Sequence, residues 1–547
     1  MLFVALMLAG CTKEEAKSDV YTGPEGELAL TNPAPGAFVQ DGVFTASGTA
    51  KNLTDLKVMG QGAKHDGTGF TARVQLDRGI DVVEASGVDG HGDTLFVRNG
   101  VLAGEFASPE GSIEDALQLR VNQSGLDKMG DLVTGMLDED TINSGVSGMN
   151  PVLNEDYGYG THATADVSSI EFAPVQIDIQ PGNDRVVLVA DIPDLVVSIN
   201  TYGEALWIDF DTDIFLYADD AVVTAELTVD ARNGKLVVDL SGAVVELQGF
   251  SYDTSLLPGD IESYLFVETI RTTIENMLVE KITEMVPPLL DSTLSGLDPS
   301  FSTELLGLQV DLAFSFADAG SDRDGLTLDL DLDIAVPDAG THSAPGYLSA
   351  GDGTPDINTH TDVAGAISDD LLNKVLYEAW TGGLLDLKLS TDDGSLPAAM
   401  LLSFKAEQGA ITVDPQLPPV IVEKDGGLVA EVGELVVTVD TPGGELGEHL
   451  VVAVNAEVPL DVKIEDGEIV LDLGTPTLTM MVRESDWGAS DERVTNLISE
   501  MLPLDSLLTL LGGFSFPVPT LYGISLDSGE AYRDEDGVHT GLDVYLK

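Results

Sequence analysis

One long stretch of helical periodicity, in a chain that otherwise alternates like β-strands, constrains the fold most. Between residues 259 and 294 apolar side chains recur about every 3.6 positions, which predicts one long helix with a wide apolar stripe. We expect Pro287 and Pro288 to kink or end this helix, because proline lacks the amide hydrogen. A stripe of this width requires a curved apolar surface to pack against. The stripe comprises Ile261, Leu265, Ile270, Ile274, Met277, Leu278, Ile282, Met285, Val286 and Leu289.

The segments around this helix predict antiparallel strands. Asn233-Gly234 lies between two alternating segments and predicts a tight hairpin turn. In the run from Leu328 to Ile334, leucines alternate with aspartates, which predicts a strand with one buried and one solvated face. The alternative is that the row Asp329, Asp331 and Asp333 collects Ca²⁺. A flat row lacks the wrapped loop of a calcium site, so the solvated strand is the favoured interpretation.

The order of elements suggests two similar halves. Residues 115–137 begin as a strand and turn helical near Ser124, the expected N-cap. Ser368 is the expected N-cap of a second short helix, and a last helix is predicted over 492–511. Strand, helix, meander and helix thus occur twice. The inner side of the second short helix is predicted to carry Leu371, Leu372, Val375, Leu376 and Trp380.

The N-terminal part of the chain has a different texture. Over residues 27–107, short segments of alternating apolar and polar residues recur roughly every 8–12 residues, which predicts a β-sandwich. The turn-rich segments 32–36, 47–50 and 85–93 resemble those of bacterial immunoglobulin-like modules. Such modules usually serve as spacers or adhesion units.

The charge excludes one class of partner. The chain has 547 residues, with 25 Lys and Arg against 94 Asp and Glu, giving a net charge of −69. So negative a field repels the phosphates of nucleic acids, and it also repels anionic lipid headgroups unless cations intervene. We therefore predict no nucleic-acid partner. The acidity also suits a saline habitat, where acidic surfaces keep proteins soluble, so it need not be functional.

The single cysteine, Cys11, follows an apolar run and the sequence Leu8-Ala9-Gly10. This context resembles the lipobox of a bacterial lipoprotein, in which the preceding peptide is removed and the cysteine carries the lipid. The apolar run is too short to span a bilayer. The resemblance implies palmitate or a similar acyl group on Cys11 and a lipid-anchored protein of the outer membrane, on its periplasmic or cell-surface face.

A search for catalytic motifs is negative. The sequence has no nucleophile elbow, no phosphate-binding loop and no zinc-protease motif, and its 7 histidines are scattered. Pairs of acidic residues do not indicate a catalytic site here, because acidic residues are frequent throughout the chain. We predict that the protein is not an enzyme and that it has no catalytic residue, no metal ligand and no cofactor. Bound lipid and bound Ca²⁺ stay open as alternatives.

Four segments in order resemble the bactericidal/permeability-increasing and lipopolysaccharide-binding protein family, also called tubular lipid-binding (TULIP) proteins. The first resembles the family's opening strand and its turn into the first helix. The second matches its long second helix, the third resembles the opening helix of its second barrel, and the fourth resembles its C-terminal closure. The resemblance that they mark extends over residues 110–547 or so. The segments are 117–127, 261–294, 367–380 and 516–547.

The resemblance implies an α+β fold of two barrels, each a long curved antiparallel sheet wrapped around a long helix, with a groove for acyl chains. Simple core packing is the alternative for every residue of such a groove. This sequence lacks the family's disulfide and its cationic tip, so we do not expect endotoxin killing. The lipid-contacting residues that the resemblance suggests are Leu265, Ile270, Ile274, Leu278, Ile282, Leu372 and Leu376.

Together these observations predict five segments: a signal peptide over 1–10, a tether over 11–26, an immunoglobulin-like domain over 27–107, and TULIP-like domains over 108–300 and 301–547. The predicted function is non-catalytic binding, or transfer, of lipids or other long apolar molecules by a lipid-anchored exported protein. The alternative is a structural or adhesive surface protein whose barrels are packed and hold no ligand. The sequence identifies no protein partner.

Overall fold

A computed structural model describes residues 25–135, 143, 150–158, 160–183, 185–205, 207–254, 260–305, 308–336, 342–351, 353–397, 401, 405–487 and 515–547. The predicted signal peptide, Cys11 and the last predicted helix lie outside the described residues. The chain divides into two compact units, Met1–Ala103 and Gly104–Lys547. Among the described residues, none of the helices combines the length and the apolar character needed to span a bilayer.

The first unit consists of two β-sheets with one apolar core. One sheet has the strand order β1-β3-β7-β6 and the other the order β2-β9-β8-β4-β5. Both sheets contribute to a buried cluster that includes Phe70, Val74, Val83 and Val101. The assignment to immunoglobulin-like modules stays a prediction. The strands are β1 Glu27–Asn32, β2 Ala37–Val39, β3 Gly42–Lys51, β4 Thr54–Val58, β5 Gln61–Gly62, β6 Lys64–His65, β7 Gly69–Leu76, β8 Gly79–Val88 and β9 Thr94–Ala103.

The second unit is built on a seven-stranded sheet with the order β19-β20-β21-β11-β23-β33-β32. Its centre is the antiparallel pair β11 and β23, and each of these strands leads directly into a helix. The leucines of β21 are buried and its aspartates point to the wetter face, as the alternation predicted. The strands are β11 Ile113–Asn122, β19 Phe301–Leu305, β20 Leu308–Ser321, β21 Gly325–Ala335, β23 Val363–Ser368, β32 Leu526–Arg533 and β33 His539–Leu546. A two-stranded sheet pairs β10 Phe106–Ala107 with β22 Tyr347–Leu348.

Two further sheets flank this centre, and both are curled. The first follows β11 and contacts the helices α1 Gln123–Thr134 and α2 Asp260–Leu294. A short 3₁₀ turn, Ser295–Leu297, follows α2. The strands are β12 Leu153–Gly158, β13 Thr161–Glu171, β14 Gln176–Gly182, β15 Arg185–Ala205, β16 Ile208–Arg232, β17 Lys235–Gln248 and β18 Ser251–Thr254.

The second flanking sheet follows β23 and contacts helix α3 Asp369–Thr381. Strand, helix and curled sheet therefore occur twice in this unit, and one continuous apolar core runs through all three of its large sheets. The tandem-barrel description of the two halves stays a prediction. The strands are β24 Leu387–Ser390, β25 Ala410–Pro415, β26 Val420–Lys424, β27 Gly427–Asp440, β28 His449–Glu465, β29 Glu468–Leu473, β30 Thr477–Ser485 and β31 Ser515–Pro517.

The predicted cap of α1 is wrong by two positions. The N-cap is Asn122, and it makes no side-chain cap hydrogen bond. Its side-chain amide Nδ2 instead donates to the carbonyl oxygens of Asn358 and Thr361, at 3.0 and 2.9 Å. Ser124 lies inside the helix, where its hydroxyl donates to the carbonyl oxygen of Thr361. Both polar groups therefore join α1 to the loop before β23, a tertiary role that local sequence does not reveal.

The long helix begins at Asp260, within one residue of its prediction, but it does not end at Pro287 and Pro288. It continues to Leu294, and Val286, Leu290 and Leu294 are all buried in the core. Each proline removes one backbone hydrogen bond from the helix. The burial of these apolar side chains offsets that loss, so the helix continues beyond the prolines.

Candidate apolar ligand site

Helix α3 is held in place by polar contacts at both ends. The hydroxyl of Ser368 accepts a hydrogen bond from the Asp370 amide at 3.2 Å, which confirms the predicted N-cap. Asn373 donates to the carbonyl oxygen of Ile421 and accepts from the amide of the same residue, so it fixes the helix to β26. At the other end the indole Nε1 of Trp380 donates to the carbonyl oxygen of Pro415 at 2.8 Å. The helix cannot slide along its sheet without breaking these bonds.

Between these contacts, helix and sheet enclose an apolar groove, which we call the α3 groove. The helix contributes positions i, i+3 and i+4 of one face. Strands β27 and β29 each contribute two side chains at positions i and i+2, the spacing that places them on one face of a sheet. Strands β26 and β28 contribute one side chain each, and Pro419 lies just before β26. The lining consists of Leu372, Val375, Leu376, Pro419, Ile421, Ala430, Val432, Leu460, Leu471 and Leu473.

The α3 groove contains about 490 Å³ of space between its atoms, counting the part that is open to solvent, and only a small part of that space is wide enough for a water molecule. Half-buried side chains form part of the wall, among them Leu376, Leu471 and Leu473. In its present width the groove admits small groups, and a hydrocarbon chain enters only when these leucines move apart.

Charged groups near the groove lie on the reverse side of β27. Glu431 alternates with the lining residues Ala430 and Val432, and its fully buried carboxylate is paired with Lys424. Lys424 also contacts Glu457 at 2.7 Å. Burial acts to lower the pKa of Lys424, but its hydrogen bonds to the two glutamates outweigh this effect and raise the pKa. Lys424 thus stays charged outside a lining made of apolar residues.

The structure places the sequence-predicted residues in two different environments. Leu372 and Leu376 line the α3 groove. Ile270, Ile274 and Leu278 are at most 2% exposed, as is Ile282, and they belong to the apolar core, where α2 packs on β17. The structure does not bring this second group to the α3 groove. The side chain of Leu265 lies outside the described part of the chain.

Sequence reasoning missed the strand side of the groove. Ala430 and Val432 alternate with Glu431, and Leu471 and Leu473 alternate with Asp472, so the period of two was visible. That pattern identifies an inward face, but it does not say which strands face α3. The pairing of β26 with β27, β27 with β28 and β28 with β29 decides that.

No protein-family model matches this sequence, and no curated protein matches it. Among solved structures, the chain is similar to the crystal structure of lipopolysaccharide binding protein, with 15% sequence identity and a TM-score of 0.44, covering 80% of this chain and 99% of that one. The predicted distant resemblance to that family is confirmed. It concerns the fold alone.

A second similar structure is the crystal structure of P47 of Clostridium botulinum E1. The match has 10% identity and a TM-score of 0.29, and it covers 80% of this chain and 100% of that one. At these identities and scores neither likeness indicates a ligand for this chain.

Proposed function

We propose that the α3 groove binds the hydrocarbon chains of lipids or of other long apolar molecules, and that it does so without catalysis. The observation that supports this most is the lining, in which all ten side chains are apolar. Each methylene that leaves water for such a surface contributes about 0.8 kcal/mol. No reacting group is needed for this function.

Entry of a chain requires the groove to widen. Leu376 on α3 and Leu471 and Leu473 on β29 are half-buried, so their side chains have room to change rotamer. Asn373 and Trp380 keep the helix backbone attached to β26 and β25 during this movement. The ligand then replaces contacts between leucines with contacts of its own, and binding is favourable only for long apolar chains.

We further propose that the protein is anchored in the outer membrane by an acyl group on Cys11, with the groove held at the periplasmic or cell-surface side. The support is the sequence Leu8-Ala9-Gly10-Cys11. Replacing Cys11 with Ser should move the protein from the membrane fraction to the soluble fraction. A wild-type protein that is already soluble and has no N-terminal lipid would contradict the anchor.

A structural or adhesive role is the second candidate. The narrowness of the groove favours it, as does the close packing of Ile270 and Ile274 in the core. In that case the leucines of the groove would be permanent packing contacts, and no lipid would displace them.

A filling substitution distinguishes the two functions. Ala430→Phe places a ring in the groove, whereas Val429→Phe places the same ring on the opposite face of β27. We expect the first variant to lose uptake of a long-chain fluorescent fatty acid and the second to retain it, with both folded by circular dichroism. Wild-type uptake by a folded Ala430→Phe variant would remove the α3 groove as the site, and no uptake by the wild type would favour the structural role.

A further inference from the structure

Three side chains from different parts of the second unit converge beside the C-terminal end of α3. His342, Asp386 and Asp414 can each offer one ligand atom, and these atoms all lie within 4.8 Å of one another. The imidazole Nε2 of His342 is 2.9 Å from Asp386 Oδ1. Among the described residues, no other group of three or more His, Cys, Asp or Glu side chains brings its ligand atoms this close together.

A buried tryptophan positions two of the three. The ring of His342 stacks on the indole of Trp380, with 4.8 Å between centroids and 17° between planes. Trp380 is 2% exposed, and its Nε1 donates to the carbonyl oxygen of Pro415, the residue after Asp414. The same rigid side chain therefore sets the plane of the imidazole and the position of the strand end that carries Asp414.

The third ligand is fixed by the turn that ends α3. The amide of Asp386 donates to the carbonyl oxygen of Gly383 at 3.0 Å. Leu385, just before it, has a φ of +70°, in the left-handed region that is uncommon for leucine. This conformation turns the chain back toward β25, and Asp386 comes to lie against His342 instead of continuing away from the helix.

We propose that His342, Asp386 and Asp414 bind a divalent transition-metal cation of the Zn²⁺ type. Imidazole nitrogen with carboxylate oxygen is a donor set for zinc and its neighbours in the first transition row, whereas Ca²⁺ and Mg²⁺ take oxygen ligands. In a tetrahedral Zn²⁺ site with bonds of about 2.0–2.2 Å, two donor atoms lie about 3.3–3.6 Å apart. A pair of ligand atoms at the 4.8 Å limit must therefore approach by about 1.2–1.5 Å, which rotation of the exposed Asp386 and Asp414 side chains supplies.

The exposure of the three side chains suits a site with open coordination positions. The His342 side chain is 15% exposed and that of Asp386 is 37% exposed. Asp414 is exposed as well. The cation can therefore enter from solvent, and water completes its coordination. The three residues are far apart in the chain and share no spacing pattern, so the sequence alone indicates no metal ligand.

Zinc titration of the metal-free full-length protein tests this site. The probe is ZnCl₂, at a salt concentration that screens the negative charge of the rest of the protein. We expect one site whose affinity for Zn²⁺ falls at least about tenfold in each of the variants His342→Ala, Asp386→Asn and Asp414→Asn. His360→Ala and Asp392→Asn remove an exposed histidine and an exposed aspartate, and they should bind as the wild type does. Wild-type affinity in a folded His342→Ala variant would overturn the proposal.

A second measurement uses the wild type alone, so it does not depend on the folding of a variant. Diethyl pyrocarbonate modifies accessible imidazoles, and peptide mass spectrometry locates the modified histidines. We expect Zn²⁺ to protect His342 and leave His360 reactive, and we expect Ca²⁺ at the same concentration to protect neither. Equal modification of His342 with and without Zn²⁺ would overturn the proposal.

Discussion

Arg533 donates two parallel hydrogen bonds to the carboxylate of Asp369, from Nη1 to Oδ1 at 2.8 Å and from Nη2 to Oδ2 at 2.7 Å. Asp369 is the first residue of α3, with its side chain only 2% exposed, and Arg533 ends β32. The guanidinium also contacts Glu423 and the carbonyl oxygen of Gly537. The pair therefore joins the C-terminal hairpin of the chain to the helix that forms one wall of the α3 groove.

Replacing Arg533 with Met should lower the free energy of unfolding by about 3–5 kcal/mol, because it removes two charge-assisted hydrogen bonds from the buried carboxylate of Asp369. Urea denaturation measures this change. Arg323→Met is the matched control, since Arg323 is exposed in the same unit, and it should change stability by less than about 0.5 kcal/mol. Similar costs for the two variants would mean that the pair does not stabilise the helix.

Ile274 on α2 is 1% exposed. Ile274→Ala should therefore cost about 2–5 kcal/mol in unfolding free energy, whereas Thr272→Ala on the exposed side of the same helix should cost far less. The variant Ile274→Thr then tests lipid contact in this half. Reduced fatty-acid uptake in a folded Ile274→Thr variant would extend the site to α2, and unchanged uptake would confine it to the α3 groove.

Asp329 gives the protein a predictable response to pH. Burial raises the pKa of this carboxyl from 3.8 to about 6, with help from the charges of Asp115, Asp318 and Asp331. The folded state thus holds the proton more tightly than the unfolded state, so stability falls as the pH rises through this interval. Asp329→Asn should flatten that slope and raise the melting temperature at pH 7. Asp333→Asn removes the same charge from the exposed end of the same face and is the matched control, and an equal flattening of the slope in both variants would contradict the assignment to Asp329.

The net charge of −69 should make stability depend on salt. At about 10 mM salt the Debye length is about 30 Å and the carboxylates repel one another across the surface, whereas at about 1 M it is about 3 Å. We expect the melting temperature to rise between these two conditions. Equal melting temperatures would show that the acidic side chains are too far apart for their repulsion to matter.

The elements that could be predicted are those determined by neighbouring residues. Asn233 and Gly234 both have positive φ, at +54° and +76°, and they form the predicted turn between β16 and β17. Ser368 caps α3 with its own hydroxyl. In both cases the hydrogen bonds and backbone angles involve residues within a few positions, so the local sequence contains the whole cause.

Features that depend on distant residues could not be predicted. The cap of α1 is Asn122 because its amide reaches Asn358 and Thr361, which are remote in the chain. Ile421, Ala430 and Leu460 line the same groove as Leu376 through the register of two strand pairs, and a period of two does not fix a register between strands. The cluster around His342 depends on the same long-range packing through Trp380.

Mass spectrometry of an organic extract tests the binding of hydrocarbon chains most directly. The extract is made from protein purified without detergent and then incubated with phospholipid vesicles. We expect the wild type and Val429→Phe to release about one long-chain lipid per protein molecule and Ala430→Phe to release none, because the new ring occupies the α3 groove. A wild type that releases no lipid, or equal amounts from all three proteins, would contradict lipid binding in this groove.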